Sequence, residues 1–119
     1  MSREKNGGRI DTVIGSEAVM RGDLRVNGGV RFDGKLEGRM DVADVFLAGP
    51  RSFLKGEVQC RSAVIAGRIE GDIRAQELVE LQTGAQVFGN VICRELVIQP
   101  GCFFEGKCTM LKEENRAEQ

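Results

Sequence analysis

Four cysteines, two glycine-lysine pairs and a scatter of carboxylates are the residues of this chain whose types could do chemistry. Cys60, Cys93, Cys102 and Cys108 would be metal ligands or disulfide partners, but no two of them form the Cys-x2-Cys pair that zinc sites favour. Gly29-x4-Gly34-Lys35-Leu36 and Gly101-x4-Gly106-Lys107-Cys108 approach a phosphate-binding loop. Both lack the Ser or Thr that would reach magnesium, and neither Gly-Lys opens a helix whose N-terminus would hold the anion. The carboxylates have opposite charges as neighbours rather than apolar pockets, so no acid with a partner base stands out. There is no His, Tyr or Trp. Without His the chain has no imidazole base, no Ser-His or Cys-His nucleophile and no His-ligated zinc. The expectation is a protein that is not an enzyme and carries no cofactor and no metal.

Composition points the same way. A chain of 119 residues, 41% hydrophobic and 29% charged, reads as one ordinary domain. A net charge of -1 gives no reason to attract nucleic acid. No apolar run approaches the ~18 residues of a membrane span, and no charged start leads into an apolar signal segment. A cytoplasmic address is expected.

What the chain does carry is a repeat. The pattern apolar, any, Gly, any, apolar occurs in Met20-Arg-Gly22-Asp-Leu24, Leu36-Glu-Gly38-Arg-Met40, Leu54-Lys-Gly56-Glu-Val58, Ile69-Glu-Gly71-Asp-Ile73, Val87-Phe-Gly89-Asn-Val91 and Phe104-Glu-Gly106-Lys-Cys108. The central glycines stand 16, 18, 15, 18 and 17 residues apart, and a fixed short period marks a solenoid rather than a globule. Around each Gly the residues at -2, +2 and +4 are apolar and those at -1, +1 and +3 mostly polar. Such alternation is a strand with one buried and one wet face. The +4 positions, Val26, Val42, Cys60, Ala75, Cys93 and Met110, are mostly small, as a narrow interior requires.

A second short strand follows in each turn, at Val30-Arg-Phe32, Val45-Phe-Leu47, Ala63-Val-Ile65, Val79-Glu-Leu81 and Leu96-Val-Ile98. A corner glycine comes next, at Gly34, Gly49, Gly67, Gly84 or Gly101, where positive φ or a missing Cβ is needed. Charges on the wet face alternate down the turns, as Arg21, Glu37, Lys55, Glu70 and as Asp23, Arg39, Glu57. In stacked turns about 4.8 Å apart these neighbours attract. A helical fold is disfavoured by 16 glycines spread through the chain, each costing a helix ~1 kcal/mol relative to Ala, and only Met110 to Gln119 has a helix-tolerant composition. In the repeat frame Cys60 and Cys93 lie inward and two turns apart, ~9–10 Å, beyond the ~7 Å reach of a disulfide. Cys108 is also inward and Cys102 sits at an exposed corner, so buried thiols in a reducing compartment are expected.

The ordered set of these segments resembles the bactofilin family of bacterial cytoskeletal proteins. The residues that carry the likeness are Thr12-Val-Ile-Gly15, Ile69-Glu-Gly-Asp-Ile73, Glu77-Leu-Val-Glu-Leu81 and Phe104-Glu-Gly-Lys-Cys-Thr-Met110. The resemblance implies an all-β, right-handed parallel β-helix of about six turns, polymerising end to end without nucleotide. It divides the chain into an N-terminal tail (1–11), a β-helix core (12–110) and a polar C-terminal tail (111–119), both tails disordered. Some members carry an apolar membrane-targeting segment at the N-terminus. Here residues 1–9 hold Met1 as their one apolar side chain, so membrane insertion is not expected, and a tail charge of about +2 would attract an anionic surface only weakly. The implied address is the cytoplasm, at or near the inner face of the membrane.

A β-helix has two open strand edges, which soluble monomers cap or charge. No N-terminal helix covers Thr12, Val13 and Ile14, and Phe103, Phe104, Cys108, Met110 and Leu111 make the last turn apolar. These seven residues, Thr12, Val13, Ile14, Phe103, Phe104, Cys108 and Met110, are the expected polymerisation interface. Phe104 is its centre, and the family also implicates a Phe at the matching position. By parity Phe46, Val64, Phe88 and Ile92 point outward, as candidates for lateral or partner contacts. Two functions follow: a filament subunit that scaffolds cell-shape or cell-envelope proteins, with itself as main partner, or a non-polymerising adaptor that docks partners through those outward patches. An acyltransferase built of hexapeptide repeats is disfavoured by the 15-to-18 spacing and the absence of His.

Overall fold

The computed structural model describes residues 10–111, which form fourteen strands and no helix. Each turn of the chain makes one short and one long strand. The first four turns are β1 (Ile10–Ile14) with β2 (Val19–Val26), β3 (Gly29–Phe32) with β4 (Lys35–Val42), β5 (Val45–Ala48) with β6 (Phe53–Cys60), and β7 (Ser62–Ile65) with β8 (Arg68–Ala75). In the last two turns the long strand breaks at its glycine. The fifth is β9 (Leu78–Leu81), β10 (Gln86–Phe88) and β11 (Val91–Cys93), and the sixth β12 (Glu95–Ile98), β13 (Phe103–Glu105) and β14 (Cys108–Met110). Every pairing is parallel and joins one turn to the next, in a six-stranded sheet β1-β3-β5-β7-β9-β12 and a second sheet in the order β13-β10-β8-β6-β4-β2. The result is a β-solenoid of six turns. The first strand begins at Ile10, two residues ahead of the core boundary that the family resemblance implied.

The stacking is in register at the glycines, Gly22 on Gly38, Gly38 on Gly56 and Gly56 on Gly71. Their φ angles lie between +113° and +143°, a region that only glycine occupies at low cost. A Cβ on Gly56 would sit 1.8 Å from the Gly38 carbonyl oxygen, and one on Gly71 would sit 1.7 Å from that of Gly56. So the glycine of the repeat is where the strand takes a positive φ and where each turn approaches the one before it too closely for any side chain. Corner Gly67 is glycine for the second reason alone, since its Cβ would meet the Ser52 Oγ at 2.1 Å. That hydroxyl is buried and donates to the Gly49 carbonyl at 2.7 Å.

Inside the coil the -2 and +2 columns form an apolar stack in which Leu36, Met40, Leu54, Val58, Ile69, Ile73, Val87 and Val91 are all buried. The short strands add Val30, Phe46, Ala63 and Val79 in one column and Phe32, Ala48, Ile65 and Leu81 in the next. This corrects the outward assignment of Phe46. The apolar run Val45-Phe-Leu-Ala48 offers no alternation to set its parity, and pairing with Val30 and Ala63 places Phe46 inward, wholly buried against Phe32 at 6.1 Å between ring centres. A one-residue slip exchanges the two faces of a strand, so Leu47 takes the outward place.

Candidate assembly interface

The repeat makes an inside only where a turn has neighbours on both sides. Among the described residues β1, β2, β12, β13 and β14 each pair on one side only, leaving strand edges at both ends of the coil. The inward side chains show the consequence. In turns two to five the columns are buried throughout, whereas Met20, Leu24 and Val26 of the first turn and Leu96, Phe104 and Cys108 of the last are only half-buried. Ile98 and Met110, which continue buried columns, are 51% and 50% exposed.

The residues expected at the interface fall into two groups. Thr12 is half-buried over Val30, and Ile14 closes the core over Phe32. At the other end Phe104 lies over Val87, Cys108 over Val91 and Met110 over Cys93, and the Cys108 Sγ is 3.6 Å from the Met110 Sδ. These five continue inward columns at one end or the other. Val13 and Phe103 are on end strands but turn outward, at 68% and 50% exposure. The Phe103 ring packs 5.4 Å from that of Phe88, itself covered by the Arg68 guanidinium at 4.6 Å. Of the lateral candidates, Val64, Phe88 and Ile92 are outward and half-buried; Phe46 is not among them.

Chemistry within the coil is muted. Burial pushes the Cys60 thiol from 9.0 up to about 12. Burial first, and then the neighbouring Cys108 thiol, push that of Cys93 up to about 11. Both are free and stay protonated at neutral pH. Cys102 packs half-buried against the core rather than standing exposed at its corner. The segments Gly34-Lys35 and Gly106-Lys107 lie at a strand start and between two strands. Among the described residues no three His, Cys, Asp or Glu side chains are grouped to hold a metal, and no helix is long and apolar enough to cross a membrane. An open cleft of about 450 Å³ runs along one corner, past Arg25, Asp41, Gln59 and Arg74.

Two ordered features escaped the sequence reading. Arg61 donates from Nη1 to Glu77 in the next turn at 3.1 Å, and from Nε to Asp44 in the previous turn at 2.9 Å. The hydrogen bond to Asp44, first of its causes, holds the Arg61 pKa above its ordinary value. The signal was present, since Asp44, Arg61, Glu77 and Arg94 recur with the period of the repeat. The second is the glycine ladder, whose cause is a backbone approach between turns.

A family profile described as "Bactofilin: Polymer-forming cytoskeletal" matches residues 12–109. Among curated proteins, the chain is similar to Bactofilin BacO of Myxococcus xanthus (strain DK1622), 27% identical over 100 residues that cover 84% of this chain and 79% of that one. It is also similar to Bactofilin BacP of the same organism, 26% identical over 100 residues, spanning 42% of that longer protein. No solved structure gives a significant match.

Proposed function

This chain belongs to the bactofilin family of polymer-forming cytoskeletal proteins, and from that premise we propose that it is a structural subunit which assembles end to end, without nucleotide, into filaments. The observation that carries the reading is the exposure of the core columns at the two ends. At one end Ile98 and Met110 are half-exposed continuations of stacks that are closed through the middle turns, and at the other end Val26 is only half-buried. Covering each would contribute about 1 kcal/mol, and the unpaired strand edges would continue their ladders into the next subunit. Phe104 sits at the centre of that joint, with Cys108 and Met110 beside it and Thr12 and Ile14 at the opposite end. In the cell such a filament would scaffold cell-shape or envelope proteins at or near the inner face of the cytoplasmic membrane.

The test is negative-stain electron microscopy of the purified protein with no nucleotide or metal added. Filaments a few nanometres wide are expected, together with their loss in Phe104→Arg, which would bury an unpaired charge in the joint. Filaments from Phe104→Arg equal to the parent's would show that the joint lies elsewhere. Discrete particles at all salt and protein concentrations would instead favour an adaptor that docks partners through its outward apolar side chains.

A further inference from the structure

The outer faces of the coil differ in character. On the long strands two outward columns are charged, Arg21, Glu37, Lys55 and Glu70 in one and Asp23, Arg39, Glu57 and Asp72 in the next, while a third is mixed, with Val19, Lys35, Phe53, Arg68, Gln86 and Phe103. The six-stranded sheet instead presents the column Val13, Arg31, Leu47, Val64, Glu80 and Val97, in register from the first turn to the last. Val45 and Leu78 flank it on the same side, half-buried. An apolar sheet face of this kind marks a contact surface.

The order of that column identifies what fits it. Reading apolar, positive, apolar, apolar, negative, apolar, it is complementary to its own reverse. We propose that this face pairs with the same face of a second copy running in the opposite direction, about a two-fold axis parallel to the strands and passing between Leu47 and Val64. In that arrangement Leu47 faces Val64 of the second copy, Val13 faces Val97, and Arg31 meets Glu80 on both sides of the axis. Sheets packed face to face lie about 10 Å apart, a gap that Arg and Glu side chains span. Arg31 keeps its terminal amino groups for this, because its contact to Asp33 uses Nε at 3.0 Å. Glu80 accepts within its own chain from Gln99 at 3.4 Å, a long contact. Parallel pairing about an axis along the stack would set Arg31 against Arg31 and Glu80 against Glu80. A shift of one turn would set both charges against apolar side chains. Charge thus selects direction and register together.

The face is small. Six rows about 4.8 Å apart and four residues about 3.3 Å each give roughly 400 Å² per copy, half of what a stable interface offers. One pair of subunits is therefore weak, and pairing becomes firm when end-to-end assembly repeats the contact along two filaments. To that extent the inference rests on the filament reading.

Charge reversal tests it. Arg31→Glu and Glu80→Arg should each leave filaments single, where the parent shows pairs, and the double exchange should restore pairing. A second measurement works with or without filaments. In concentrated Arg31→Lys protein, carbodiimide should join position 31 of one copy to Glu80 of another, giving a covalent dimer identified by mass spectrometry. Within one copy, or across an end-to-end joint, these positions are three turns apart, about 14 Å, and cannot be joined directly. Single filaments in the parent, pairing unaffected by either reversal, or absence of the 31–80 crosslink would each overturn the lateral inference, filaments or no filaments. Absence of filaments with the crosslink present would instead uphold the face and overturn end-to-end assembly.

Discussion

The middle turns and the end turns of this coil are written in one pattern and live in different environments. Ile69 in the fourth turn is fully buried, while Met110, equally inward in the sixth, is half-exposed. Side-chain direction is the same, and what differs is whether another turn lies beyond. An inside in a solenoid is created by neighbours, so a finite stack has two incomplete turns whose apolar columns a further subunit would cover. The middle turns bury their columns completely, and the end turns leave theirs partly exposed.

The largest contrast is expected at the glycines. Gly56→Ala combines a φ of +141° with a Cβ 1.8 Å from a carbonyl oxygen, and should cost roughly 3–5 kcal/mol in urea unfolding. Gly22→Ala meets nothing within 4 Å and should cost only the strain of its φ, ~1–2 kcal/mol. Equal losses at the two positions would mean that conformation, and not the approach between turns, dictates glycine.

Next in size is a pair of core truncations. Ile69→Ala should destabilise the subunit by about 2–5 kcal/mol whether or not it is assembled. The half-buried Phe104→Ala should lower stability less and filament formation more. Thiol labelling sharpens the same contrast. At pH 8 Cys102 and Cys108 should react before Cys60 and Cys93, which wait for unfolding, and assembly should slow Cys108. Because the Cys60 pKa is raised from 9.0 to about 12 in the fold, both folded and unfolded forms hold its proton below pH 9. Between pH 9 and 12 only the unfolded form gives it up, so the contribution of this thiol to stability falls by about 1.4 kcal/mol per pH unit there, and Cys93, raised to about 11, adds to the slope in the lower part of that window. Cys60→Ala should flatten that part of the profile.

The smallest effect belongs to the corner ladder. Arg61→Met removes a part-buried contact to Asp44 and an exposed one to Glu77, and should lower stability by about 1 kcal/mol. A larger loss would place the ladder among the determinants of stacking.

Much of this was legible in the sequence because a solenoid keeps its long-range pairings at a fixed distance along the chain. Aligning the six glycines aligned the turns, and Leu54, Ile69, Val87 and Phe104 fell into one column before any coordinates. The charge columns were likewise in register, and Arg21 meets Glu37 at 3.4 Å. Parity failed at Phe46, where four successive apolar residues contain no polar position to mark the wet side. The expected interface grouped Val13 and Phe103, which turn outward, with Ile14 and Phe104, which continue inward columns, although alternation along a strand separates them. Residues of equal hydropathy on one strand are distinguished only by the pleat of the strand they pair with.

By itself, then, the sequence determined the number of turns, the apolar interior and the small +4 column, since each follows from residue type at a repeated spacing. Tertiary structure alone decided that the repeat glycine is demanded by the carbonyl of the turn below it, that Leu47 rather than Phe46 faces outward, and that, among the described residues, end-turn members of the columns such as Val26, Ile98 and Met110 lie partly open. Those facts depend on distances between turns and on which strand edges find a partner. Residue order along one turn does not contain them.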